Sequence, residues 1–142
     1  FVDKLFGLGF ATANENSWIL GVSPTYGFLS MATKGPFTPV FKAIAGNVFI
    51  DWIFMIGLLL MGLGLIFGVA MRLSCYSGTA MLLLMWLAVL PPEHNPIIDE
   101  HIIYGLILII LAKIKTPYSL SNWWSSLKIV KKTSGSFKYY LL

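Results

Sequence analysis

The chain has 142 residues, 57% hydrophobic and only 11% charged, with a mean hydropathy of +0.79. A water-soluble domain carries about 25% charged residues, so this composition argues against a freely soluble enzyme, and the length allows one domain. The net charge of +4 does not point to nucleic acid, because six of the ten basic residues lie in 113–138, behind the last apolar run. Basic charge beside an apolar segment marks the cytoplasmic face of a membrane.

Taken in chain order, residues 1–10 are apolar apart from Asp3 and Lys4. They are too few to span, since a bilayer core needs about 20 helical residues at roughly 1.5 Å each. The stretch reads as the end of a helix that begins before Phe1. A cleaved signal peptide is the rival, but no small-residue cleavage site is visible. Asp3 and Lys4 either pair with neighbours or line an interior cavity. Ser23-Pro24 is the pattern of an N-cap with proline in the first helical turn. Gly35-Pro36 opens a second short segment through Phe37, Val40, Phe41 and Ile44, and Gly46-Asn47 stops it. These aromatic, amphipathic pieces are expected to lie on the membrane surface or to cap a bundle.

Three long apolar runs follow. Residues 52–71 are uncharged and end at Arg72; 73–90 are uncharged and end at Pro91-Pro92; a third run begins near Pro96 and continues to Ala112. With the partial first segment, the expectation is an all-α integral membrane four-helix bundle with short interfacial helices in its outer loop. Asp51 is read as a cap on the first complete span and Trp52 as an interfacial belt residue. Gly57, Gly64 and Gly68 share one helical face, the last two at GxxxG spacing, which suits close helix packing or a flat ligand. Cys75 is the sole cysteine, so no intrachain disulfide can form, and packing explains it better than redox chemistry.

Charge sets the orientation. The turn at Arg72 and the residues from Lys113 onward should face the cytoplasm; 91–101, with Glu93, Asp99 and Glu100 and no Lys or Arg, should face outside, together with 11–47. Trp123-Trp124 ahead of Lys128, Lys131 and Lys132 resembles an interfacial anchor with a basic flank. Residues 1–124 form the expected membrane domain and 125–142 a basic cytoplasmic tail, whose end, 133–142, carries no usable pattern.

The segment Pro91-Pro92-Glu93-His94-Asn95-Pro96-Ile97-Ile98-Asp99-Glu100-His101-Ile102-Ile103-Tyr104 crowds polar groups at the mouth of an apolar helix. Such groups are costly in lipid and usually face an interior or a wet cavity. Helical spacing puts His101 and Glu100 on one face with Tyr104. A carboxylate, an imidazole and a phenol so placed can exchange protons with a bound redox ring. Capping is the competing account: Asn95 suits an N-cap, Pro96 a first helical residue, and Asp99 the positive end of the helix dipole. Both accounts stand for Asp99; capping asks for neither His101 nor Tyr104. No multi-cysteine spacing, haem motif or glycine-rich nucleotide fingerprint exists, and His94 and His101 form no recognisable metal site. Any electron carrier would be a bound small molecule or lie on a partner.

The run Asn95-Pro-Ile-Ile-Asp-Glu-His-Ile-Ile-Tyr104 resembles the NP-x-x-D-x-H-I-I-Y signature of the DoxX/DoxD membrane family, DoxD-like branch. Asp3-Lys4-Leu5-Phe6-Gly7 is similar to the end of that family's first helix. Ser23-Pro24-Thr25-x-Gly27-Phe28-Leu29, Gly35-Pro36-Phe37 and Ala45-Gly46-Asn47-x-x-x-Asp51-Trp52 are similar to its outer loop, and Arg72 stands at its inner turn. The resemblance runs from Phe1 to about Trp124. It implies a four-helix membrane protein, a DoxA-like partner, and oxidation of thiosulfate to tetrathionate with electrons passed to a membrane quinone. By their own chemistry, and not from the resemblance, His101, Tyr104, Asp99 and Glu100 are expected to handle protons. Tyr104, Trp52 and Asn95 are expected to hold the quinone, and Lys34 and Lys42 are the outer cations available to thiosulfate. No metal or haem is expected. The alternative is a non-catalytic accessory subunit of a larger respiratory assembly; a small transporter or lipid-binding protein is a third reading, disfavoured by the lack of a broken midplane helix.

Overall fold

A computed structural model of the chain describes residues 1–92, 95, 97–114, 119–133 and 136–141. Glu93, His94, Pro96 and Lys115 therefore lie outside the described residues. Every regular element among the described residues is helical, and none is a strand. The chain divides into two units, 1–59 with 85–97, and 60–84 with 98–142.

The two longest helices form where charge is sparse, with Asp51 alone in one and Arg72 alone in the other. Helix α3, Val48–Phe67, starts from Asn47, whose side-chain oxygen accepts from the backbone N–H of Phe49 (2.9 Å) and Ile50 (3.4 Å). An Asn in this role satisfies donors that the first turn leaves unpaired. Asp51 is therefore not the cap; it sits a turn inside the helix. The helix ends at Gly68, which takes φ 66°, a left-handed conformation natural for glycine. Helix α4, Met71–Val89, follows at once and stops before Pro91-Pro92. At 20 and 19 residues, both are long and apolar enough to cross a membrane.

Only 17% of the apolar stretch of α3 and 28% of that of α4 is buried within the protein. A core helix of a soluble domain would be mostly covered. Here Ile53, Ile56, Leu60, Leu63 and Ile66 are exposed.

The first unit builds outward from the start of α3. Helix α1, Val2–Phe6, ends at Gly7 (φ 66°). Asp3 then accepts from the backbone N–H of Phe10 (3.2 Å) and Ala11 (3.1 Å), folding the chain back on itself. Ser23 Oγ accepts from Tyr26 N at 3.1 Å, the capping geometry expected of Ser23-Pro24, and a wide π-helical turn, Phe28–Ala32, follows. Lys34 N donates to Ala88 O at 2.8 Å, tying this stretch to the end of α4. Gly35 (φ 72°) lies so close to Leu90 O that a Cβ there would overlap it. Helix α2, Thr38–Ala43, begins two residues after Pro36, the residue expected to open the segment, and carries Pro39 in its first turn.

In the second unit, the remainder of α3 packs on the beginning of α4 through Gly64, where a Cβ would fall on Ser74 Oγ and lie 3.0 Å from Val69 O. The packing role expected of this glycine is thus what the structure shows. We expect Gly64→Ala to lower stability by about 1–3 kcal/mol through overpacking. Gly62→Ala, at a glycine with open space around it, should be neutral or slightly stabilising. Thermal unfolding in detergent compares them, and partial rescue of Gly64→Ala by Ser74→Gly would place the strain at that contact.

Helix α5, Glu100–Leu111, lies against α4: a Cβ on Gly78 would be 2.9 Å from Leu108 Cδ1, and Thr79 Oγ1 donates to Cys75 O (2.9 Å) and Gly105 O (3.3 Å). Cys75 itself is fully buried, as packing requires. The chain then forms α6, Ser121–Ser126, α7, Lys128–Lys132, and α8, Ser136–Leu141.

Helix α5 is shorter than the third apolar run. It begins at Glu100, not near Pro96, and its 12 residues reach about 18 Å, well under the roughly 30 Å of a bilayer core. The reason is local. Asn95 Oδ1 turns back to accept from Ile97 N at 3.0 Å, which makes an Asx turn instead of a helix cap, and Asp99 supplies the cap.

Candidate functional site

Asp99 has extended backbone (φ −134°, ψ −174°), which lets its side chain reach over the first turn of α5. Its Oδ1 accepts from the backbone N–H of His101 (3.1 Å) and Ile102 (3.3 Å). Its Oδ2 lies 2.8 Å from Nδ1 of the His101 ring. One carboxylate thus caps the helix with one oxygen and orients an imidazole with the other. The pair is largely sheltered, with the side chains of His101 and Asp99 14% and 8% exposed. Burial pushes the Asp99 carboxyl up. The hydrogen bond from the His101 ring and those from the Ile102 and His101 backbone outweigh it, holding the group below the ordinary carboxylate range.

The ring nitrogen Nε2 of His101 has no hydrogen-bond partner among the described residues. With Nδ1–H given to the carboxylate, the neutral ring presents a lone pair at Nε2 and can accept a proton there. Tyr104 lies three residues further along the same helix, 57% exposed, with no hydrogen bond to His101 among the described residues. Glu100 is exposed in the first turn. Asp99, Glu100 and His101 bring ligand-type atoms within 4.8 Å of one another. Both Asp99 oxygens are already engaged, so a cation here would compete with the imidazole and the helix cap.

The other residues expected at the site belong to the first unit. Trp52 is half-exposed and meets Trp18 edge-on, ring centroids 4.8 Å apart. Asn95 is engaged in its Asx turn, and Trp86 Nε1 donates to Ile97 O at 2.9 Å beside it. Lys42 is exposed in the last turn of α2, and Lys34 holds Ala88 O through its backbone. Asp99, Glu100, His101 and Tyr104, the residues expected to handle protons, thus lie together at the start of α5, while Trp52, Asn95, Lys34 and Lys42 fall in the other unit.

The sequence reading did not connect Asp51 to its partners. Asp51 is 5% exposed, and its Oδ1 accepts from Ser23 Oγ (2.8 Å) and Thr25 Oγ1 (2.6 Å). One signal was present. Asp51 is the sole charged residue of α3, and a charge in an apolar helix demands partners.

Comparison with protein-family models, with curated proteins and with solved structures finds no match.

Proposed function

We propose that the chain is a multi-pass membrane subunit of a quinone-linked oxidoreductase of the DoxX/DoxD type, oxidising thiosulfate to tetrathionate. The observation that carries the reading is the Asp99–His101 pair at the head of an apolar helix, with Tyr104 one turn on. Helices α3 and α4 supply two crossings. Helix α5, at about 18 Å too short to cross alone, is the third apolar helix of the proposed bundle.

The hydrogen bonds within each unit support the orientation. In one, the stretch assigned outside is tied to the end of α4 at Ala88. In the other, the lysine-rich stretch assigned to the cytoplasm is tied to the α3–α4 turn, with Leu120 N donating to Phe67 O at 2.9 Å.

The residues of α5 suit a quinone. The Tyr104 phenol offers a hydrogen bond to a carbonyl oxygen, Nε2 of His101 donates one only after it has taken up a proton, and exposed Ile103, Leu106 and Ile107 suit an isoprenoid tail. A bound quinone supplies the acceptor for electrons released when pairs of thiosulfate join through a new S–S bond, taking up a proton with each electron. His101 carries that proton at Nε2, Asp99 fixes the ring and its tautomer, Glu100 links the ring to solvent, and Tyr104 orients the carbonyl. Lys34 and Lys42 are the cations proposed to attract thiosulfate.

Thiosulfate-dependent quinone reduction by membranes containing the chain and its partner tests this. His101→Ala should lower the rate by about 10²-fold or more, the usual contribution of a proton-transfer group, and Tyr104→Phe by less. Unchanged rates in both variants would remove the site. One observation favours the accessory reading: Gly62 lies mid-helix on α3 with open space beside it, room for another helix to approach. Co-purification with respiratory subunits and no thiosulfate activity would select it.

A further inference from the structure

The C-terminal segment is pinned to the end of the two apolar helices. Leu120 N donates to Phe67 O at 2.9 Å, and Ser119 packs so tightly on Gly68 that a Cβ there would overlap it. Arg72, at the start of α4, donates to Tyr139 O at 3.0 Å and lies 4.2 Å from the centre of the Tyr139 ring. Trp124 Nε1 donates to Leu141 O at 2.9 Å, closing α6 onto α8, and Tyr140 meets Tyr76 edge-on. If α3 and α4 cross a bilayer, a segment fixed to their connecting turn is held at the headgroup level.

What this segment presents is cationic. Helix α7 places Lys128, Lys131 and Lys132 at i, i+3 and i+4, hence on one face, and all three are exposed. Val130, on the opposite face, is 1% exposed and anchors the helix inward. Trp123 in α6 is exposed, the residue type that settles at a membrane interface. Residues 101–142 contain no Asp or Glu, so nothing in that stretch offsets the lysines.

We propose that α6 and α7 form a docking surface for anionic phospholipid headgroups of the leaflet at the α3–α4 turn, with Lys128, Lys131 and Lys132 binding the phosphates. The inference rests on the membrane-spanning reading of α3 and α4 and is independent of the redox chemistry. Lysines near an anionic surface each strengthen attraction by roughly five-fold, and salt screens it.

The test is lipid selectivity of the full chain in phosphatidylcholine vesicles doped with spin-labelled phosphatidylglycerol or spin-labelled phosphatidylcholine. The native chain should immobilise phosphatidylglycerol in preference by about five-fold or more. The preference should vanish in K128Q/K131Q/K132Q and at high salt. Val130 is untouched in that variant, and an unchanged melting temperature confirms that the segment stays folded. Equal immobilisation by the native chain, or a preference retained in the triple variant, overturns the lipid surface alone. A chain that fails to float with the vesicles overturns it together with the spanning reading.

Discussion

Asp51→Ala is expected to destabilise the protein by about 3 kcal/mol, while Asp51→Asn should cost only about 1 kcal/mol. The difference follows from a single atom. Both hydroxyls, Ser23 Oγ and Thr25 Oγ1, donate to the same oxygen, Oδ1. An amide keeps an acceptor oxygen there and loses only charge assistance. Alanine leaves the buried Thr25 hydroxyl with no acceptor and opens a gap beside it, and unpaired buried polar groups are costly. Because Ser23 also caps the turn that follows, through Tyr26 N, the loss should spread into 23–33. Thermal unfolding in detergent reads the stability, and limited proteolysis within 23–33 reads the release. If alanine and asparagine behave alike, Asp51 holds nothing that its charge alone does not explain.

Much of the helix inventory could be read from local pattern. An uncharged run bounded by Arg72 on one side and Pro91-Pro92 on the other leaves little freedom about where α4 lies. Ser23-Pro24 signals its cap because the hydroxyl and the donor it serves are three residues apart. What the sequence hides is longer in range. Asp51 finds its acceptor role 26 and 28 residues away, so its position near a helix start invites the capping assignment that Asn47 in fact fills. Residues 133–142 show no periodicity, yet Tyr139, Tyr140 and Leu141 tether the C-terminal segment to Arg72, Tyr76 and Trp124. The start of α5 misleads for another reason. Asn95 and Asp99 are both competent caps, and geometry alone decides between an Asx turn at one and a helix start at the other. That Glu100, His101 and Tyr104 fall together on one helix was legible because three and four residues make one helical turn. The placement of Trp52, Asn95, Lys34 and Lys42 has no such periodic signal.

Asp99→Asn separates the two roles that one carboxylate combines. We expect it to lower thiosulfate-driven quinone reduction by about 10²-fold, while stability changes by less than about 0.5 kcal/mol. Asparagine caps helices as well as aspartate does, so its oxygen can still accept from the His101 and Ile102 N–H groups. Its NH₂ then faces the His101 ring where Oδ2 stood, 2.8 Å from Nδ1. Two donors cannot share that contact. The ring must offer a lone pair at Nδ1 and carry its hydrogen at Nε2, which removes the lone pair needed to accept a proton. Asp99→Ala loses both roles and should also cost about 1 kcal/mol of helix stability. Asp99→Ser keeps a cap without a group for the ring and should fall between them in rate. Quinone reduction and melting temperature, measured on the same four proteins, decide the matter. A native rate in Asp99→Asn alongside a destabilised Asp99→Ala would make Asp99 a helix cap only, and would leave His101 without the partner on which the proton chemistry proposed for it depends.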